Sequence, residues 1–193
     1  GFVRVANSLF DNNDASASAF GHAAINVVAT AASVSPAIII ANSTFARGRG
    51  AGDGTRGCGI GVGLPAGVHL AVLNSLFHDN ALSDLNIEGM AVIGLGNGSA
   101  AADYSLIPTL SGNLPLAATH AFTGDPMFVD PVNGNFRLRD ASPLIDRGLA
   151  PLPYYPLGGS DLDAQPRVRF GAVDPGPYEN QTRPWLFIDG FEP

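Results

Sequence analysis

Asp11, Arg47, His78 and Asp79 come nearest to a set of side chains able to do chemistry. They occupy shared columns of an internal repeat. When the chain is aligned on Asn7, Asn42 and Asn74, the fourth residue after the Asn is Asp11, Ala46 or His78, and the fifth is Asn12, Arg47 or Asp79. Elimination from an acidic polysaccharide requires a cation or an arginine to neutralise the sugar carboxylate, with a Lys, Arg, His or Tyr base beside it. Hydrolysis of a glycosidic bond instead requires two carboxyl groups about 5–9.5 Å apart. The columns contain no ladder of paired carboxylates and no acidic triad suited to calcium. The sequence therefore assigns no catalytic centre, and solvated polar groups where strands enter loops are the plainer explanation of the four.

A second group, Asp161 and Asp163 with Glu179, offers oxygen ligands of the kind a hard cation such as Ca2+ accepts. The spacing is not that of a calcium-binding loop, and pairing with Arg167 or Arg169 accounts for the same residues. No cofactor is assigned. His22 and His120 sit among small residues and read as structural. Cys58 stands alone, so it forms no internal disulfide and reads as a small buried thiol. The Gly-rich run "DGTRGCGIGVG" lacks the Lys-Ser/Thr pair of a phosphate loop.

Stepping outward from these residues, composition narrows the class. The 193 residues suffice for one sizeable domain. Only 14% are charged, the net charge is −7, and the basic residues form no stripe, which argues against nucleic acid or anionic lipid as partner. No apolar run approaches a membrane span. The chain opens with Gly in mid-repeat, and the expectation is that it continues a longer protein.

The repeat spacings of 35 and 32 residues mark a stacked architecture. Phe10, Phe45 and Phe77 follow the Asn by three positions, and Ser8, Ser43 and Ser75 follow it by one. Val5, Ile40 and Val72 precede it by two, and Val3, Ile38 and Leu70 by four. A degenerate fourth copy places Tyr104, Ser105 and Ile107 in the Asn, Ser and Phe columns. The alternation has the period of two of a strand with one buried face. Further strands are predicted at Ala24–Val28, Gly59–Val62 and Asp84–Ile87. Stacking turns matched columns into ladders: Asn at a left-handed bend, Phe in a core stripe. The fold class is all-β, a right-handed parallel β-helix (solenoid) with an irregular C-terminal cap.

After about residue 110 the repeat gives way to Pro-rich sequence. "TLSGNLPLAATHAFTG" (109–124) reads as a connector, and "DPVNGNFRL" reads as an Asn-Gly turn feeding a strand. The later segments are expected to cover the open ends of the stack. The pieces "NSLFHDN", "ADYSLI", "DPMFVDPVNGNFRLRDASPLIDRG" and "DLDAQPR…DPGPYE" cover roughly residues 70–180. In these the chain resembles right-handed β-helix surface proteins that carry a choice-of-anchor Q domain, within the pectate-lyase-like superfold. The prolines at 175 and 177 depart from that pattern and argue against a paired final strand.

The resemblance implies an exported bacterial protein, extracellular or on the cell surface, and no known reaction. The expected organisation is rungs over 1–110, a choice-of-anchor-Q-like capping region over 111–180 and a tail over 181–193. The tail ends in Asp-Gly-Phe-Glu-Pro. The favoured function is a non-catalytic scaffold or adhesin-like module whose partner is a polysaccharide or cell-envelope glycan. The alternative is a polysaccharide lyase or glycoside hydrolase whose catalytic rungs lie upstream.

Overall fold

Apolar residues alternate over only three to six positions before Asn, Ser or Gly interrupts them, so the repeats fold as short strands. The computed structural model describes residues 2–14, 24–28, 37–49, 59–90, 98–153 and 156–182. In chain order the strands are β1 (Val3–Ala6), β2 (Leu9–Asp11), β3 (Ile25–Val28), β4 (Ile38–Ala41), β5 (Thr44–Ala46), β6 (Ile60–Pro65) and β7 (His69–Leu73). Then come β8 (Leu76–His78), β9 (Leu85–Met90), β10 (Ser99–Asp103), β11 (Leu110–Gly112), β12 (Leu116–Thr119), β13 (Phe128–Asp130) and β14 (Asn135–Leu138). There is no α-helix among the described residues, and no helix is long and apolar enough to cross a membrane.

Three parallel sheets result, ordered β1-β4-β7-β10-β12, β2-β5-β8 and β3-β6-β9-β11. Each of the first three repeats places one strand in each sheet, and the register follows the sequence columns. Val3 pairs with Ile38, Ile38 with Leu70 and Leu70 with Ala100. Phe10 pairs with Phe45, and Phe45 with Phe77. The inward columns meet in one core containing Ile38, Ile40, Phe45, Val62, Val72, Phe77 and Ile87. The phenylalanine rings stack, Phe10 on Phe45 at 4.8 Å and Phe45 on Phe77 at 5.0 Å between centroids. Phe45 and Phe77 are wholly buried, so the stripe is core.

The corners form ladders of their own. Asn7, Asn42, Asn74, Tyr104 and His120 all have left-handed backbone, with φ of 47°, 46°, 47°, 49° and 44°. Tyr104 thus takes the bend assigned to it by the sequence, and His120 adds a fifth member. Asn tolerates this geometry because its short polar side chain bonds locally. Here the Asn74 Nδ2 also donates to the Asn42 Oδ1 at 3.0 Å. The serine column satisfies the backbone beside it. Each hydroxyl of Ser43, Ser75 and Ser105 accepts from the main-chain N–H of the serine one repeat earlier. Those hydroxyls also donate to the carbonyl two residues back, at 2.8–3.0 Å. A second left-handed corner falls at Asn12, Arg47 and Asp79, with φ of 53°, 54° and 53°.

Two expectations change. The segment 109–124 is no simple connector. It supplies β11 and β12, and Ala100–Asp103 pair in parallel with Leu116–Thr119. This rung is hard to see in the sequence because its strand is Ala-rich and largely exposed, held by main-chain bonds more than by buried side chains.

Among the described residues, the C-terminal region covers the flank of the stack where a cover over its ends was expected. It runs along the flank as a brace. Phe128, Phe136, Leu138 and Leu144 pack on Ala46, Leu76 and Leu106, outside the β2-β5-β8 sheet. Leu149, Leu152 and Leu157 pack on Ile39, Ala41, Ala71 and Leu73, outside the first sheet. That sheet is therefore covered on both faces, which explains why "IIIA" of β4 is apolar at every position.

Within the brace, the turn expected at "DPVNGNFRL" spans Pro131–Asn133 with Gly134 at φ 82° closing it, and the strand it feeds, β14, pairs antiparallel with β13. No strand forms at 173–180, as the two prolines imply.

Candidate functional site

The strand-to-loop positions after the Phe column bring Asp11, Arg47, His78 and Asp79 to one side of the stack, the first three against the brace. Asp11 ends β2, and Arg47 lies just past β5 on the next rung, so parallel stacking makes them neighbours. The Arg47 Nε donates to the Asp11 Oδ1 at 2.6 Å, and its Nη2 donates to the Asp11 Oδ2. Its remaining Nη1 donates to the main-chain carbonyl of Val132 in the brace turn. The guanidinium also lies over the Phe136 ring, 5.6 Å from its centroid. Asp11 holds Arg47 further into its charged range, by direct hydrogen bonding first and by charge second, with Asp79 adding a smaller effect. His78, ending β8, meets Phe128 edge-on at 5.3 Å and Phe136 at 6.4 Å. Asp79 is exposed. Three of the four are thus engaged with one another or with the brace, and Gly134 packs so close that an added Cβ would lie 3.3 Å from the Asp11 Oδ2.

The asparagine column is the second seam. Asn74 accepts from the Leu149 N–H at 2.8 Å and donates to the Leu149 carbonyl at 2.9 Å, while its own carbonyl accepts from Gly176. Gly148 is required there, since a Cβ would fall 2.8 Å from the Val173 Cγ2 and 3.3 Å from the Asn74 Cγ. His120 lies on the continuation of this column. It stacks on Tyr104 at 4.4 Å, and its Nδ1 is 2.8 Å from the Asp103 Oδ1.

The acids of the C-terminal region separate. Asp163 pairs with Arg137 at the surface, not with Arg167 or Arg169. Asp161 is buried and accepts main-chain N–H groups of Asp163, Gln165 and Glu179. Glu179 belongs to a different trio, with Asp146 and Asp174, in which one carboxylate oxygen from each lies within 4.8 Å of the others. The sequence reading missed Asp146 and Asp174. Asp146 stands 28 residues from Asp174 and 33 from Glu179, and all three lie in irregular segments where no strand or helix period marks a shared face.

Asp174 accepts from the N–H of Asp146 at 2.6 Å and of Asn180 at 2.7 Å. Burial pushes its carboxyl up to about 6 and that of Glu179 up to about 8. Arg167 is fully buried nearby and donates through Nη2 to the carbonyls of Asp174 and Gly176. Burial lowers its guanidinium from the ordinary value, opposed by Glu179, Asp174 and Asp161. A cleft of about 250 Å³ opens beside this cluster, lined among others by Arg137, Asp163, Tyr178, Glu179 and Thr182. His22, Cys58 and all but the first two residues of the 181–193 tail lie outside the described residues.

No protein-family model, no curated protein and no solved structure matches the chain.

Proposed function

We propose that the chain is a right-handed parallel β-helix of the choice-of-anchor Q type that acts as a non-catalytic, exported scaffold or adhesin-like module at the cell surface. One observation carries the non-catalytic reading. The donors of Arg47 are taken up by Asp11 and by the Val132 carbonyl, so the constellation nearest to a polysaccharide-cleaving site serves as the joint between stack and brace. A lyase arginine must instead turn its donors toward a substrate carboxylate. The parallel in-register sheets and the Asn, Ser and Phe ladders support the architecture. Glycan affinity is supported by the stacked Tyr104–His120 pair beside Asp103, since an aromatic face next to a carboxylate suits sugar C–H and hydroxyl groups.

The test is native electrophoresis of the protein through gels containing alginate, pectin or chondroitin, with a parallel assay for unsaturated or reducing ends. Retardation in one gel that His120→Ala diminishes, without product, is the expected result. Product formation at an enzymatic rate overturns the non-catalytic reading, and its loss in Arg47→Ala or His78→Ala would place catalysis at the joint.

A further inference from the structure

We propose that Asp146, Asp174 and Glu179 hold a calcium ion where the brace folds back on itself. The trio joins two segments: the turn before Leu149, which carries Asp146, and the run around Gly176, which carries Asp174 and Glu179. Calcium bonds oxygen at about 2.3–2.6 Å, so ligands of one ion lie no more than about 4.8 Å apart when the bonds are near 2.4 Å. The three carboxylate oxygens meet that limit. Magnesium demands a stricter octahedron and gives up its water reluctantly, so it suits an irregular three-carboxylate site less well. An all-oxygen set selects a hard cation over zinc or copper.

Proximity of acids alone would mean little, and the second observation is Glu179 itself. Its side chain is only 6% exposed; Oε2 accepts from the Asp174 N–H, while the buried Oε1 has no partner. A bare carboxylate oxygen in the interior is strongly unfavourable, and it calls for a cation, a proton or a water. Arg167 does not meet this need. Its Nη2 binds two carbonyls, and its Nε and Nη1 make no hydrogen bond. Charge points the same way: Asp146, Asp174, Glu179 and nearby Asp161 face one guanidinium, and a divalent ion removes most of the excess. Glu179 also lines the cleft, which gives an ion a route from solvent.

An ion here would tie the turn that reaches Asn74 through Leu149 to the segment that reaches it through Gly176. Calcium would thereby govern how firmly the brace grips the stack. Extracellular calcium modules bind at about 10⁻⁴–10⁻³ M, and a site with three carboxylates is expected at or below that range.

The experiment is isothermal titration of the chelator-treated full chain with calcium chloride and then with magnesium chloride, alongside thermal melting. One calcium per chain, a melting point raised by several degrees in millimolar calcium and a weaker magnesium response are expected. Asp146→Asn tests the site without endangering the fold, because residue 146 is half-buried with φ 59° and Asn accepts that backbone. It should weaken calcium at least tenfold. Glu179→Gln should abolish the melting shift while raising the melting point of the calcium-free protein at pH 8. Absence of calcium binding, a magnesium-only response, or less than a tenfold loss in Asp146→Asn overturns the proposal and leaves water or a proton as the partner of Glu179.

Discussion

Replacing Phe45 by alanine tests whether stacked columns hold the molecule together. The side chain is wholly buried, with Phe10 at 4.8 Å on one side and Phe77 at 5.0 Å on the other. A buried Phe→Ala change costs about 3–5 kcal/mol through lost transfer energy and the cavity left behind. Two aromatic neighbours, each worth about 0.5–1.5 kcal/mol beyond area, place Phe45 near the top of that range. Phe10 is only half-buried and has one ring neighbour, so Phe10→Ala should cost about half as much.

The assay is urea unfolding followed by circular dichroism, with a double-mutant cycle between positions 10 and 45. The expected outcome is a loss of about 4–5 kcal/mol for Phe45→Ala, about 2 for Phe10→Ala, and a coupling of about 1 kcal/mol. For a chain of this length that corresponds to a fall in Tm of roughly 10–20 °C for Phe45→Ala. A Phe10→Ala variant as unstable as Phe45→Ala, or a coupling of zero, would refute the ladder as an energetic unit.

Three further outcomes follow from the seams. Asn74→Ala should destabilise by about 2–4 kcal/mol, because it strands Asn42 and both main-chain groups of Leu149. Asn74→Gly should be milder by about 1 kcal/mol, since only it suits φ 47°, and equal urea midpoints would discount the backbone contribution. Arg47→Ala should lower stability by about 1–2 kcal/mol, tempered by the partial exposure of the pair, and should speed proteolysis at the turn containing Val132; an unchanged digest would detach Arg47 from the brace. In chelator, stability should fall as pH rises from about 4 through 8. The folded chain keeps protons on Asp174 and Glu179, raised to about 6 and about 8, that the unfolded chain has already released. The urea midpoint should fall steadily over that range, and Glu179→Gln should flatten the upper part of the fall; a midpoint that rises with pH contradicts the cause given.

The stack was legible because it reuses residues. Phe10, Phe45 and Phe77 lie at one phase of one strand, and equal environments select equal side chains. Tyr104 could be placed in the Asn column because Ser105 and Ile107 keep their spacing around it. The last rung was not legible, since Ala117, Ala118 and Thr119 bury little and the repeat shortens to 16 residues between Tyr104 and His120. The flank position of the C-terminal region depends on contacts between residues such as Asn7 and Ser160, which no local period encodes. A trace of it was present in "IIIA", where Ile39 is apolar although it alternates with the inward column. Asp11, Arg47 and His78 come to the joint from neighbouring columns, but columns do not reveal what covers them. The acid trio needed coordinates, because its members share no repeat.

A linear array whose units touch only their nearest neighbours can come apart from either end, one unit at a time. Here a single strap is fastened at Asn7, Arg47, Asn74 and Leu106, so peeling the first coil must also lift chain anchored to the later ones. Fraying is thereby converted into an all-or-none event. Under tension, the load would be shared across the whole flank instead of falling on the outermost coil.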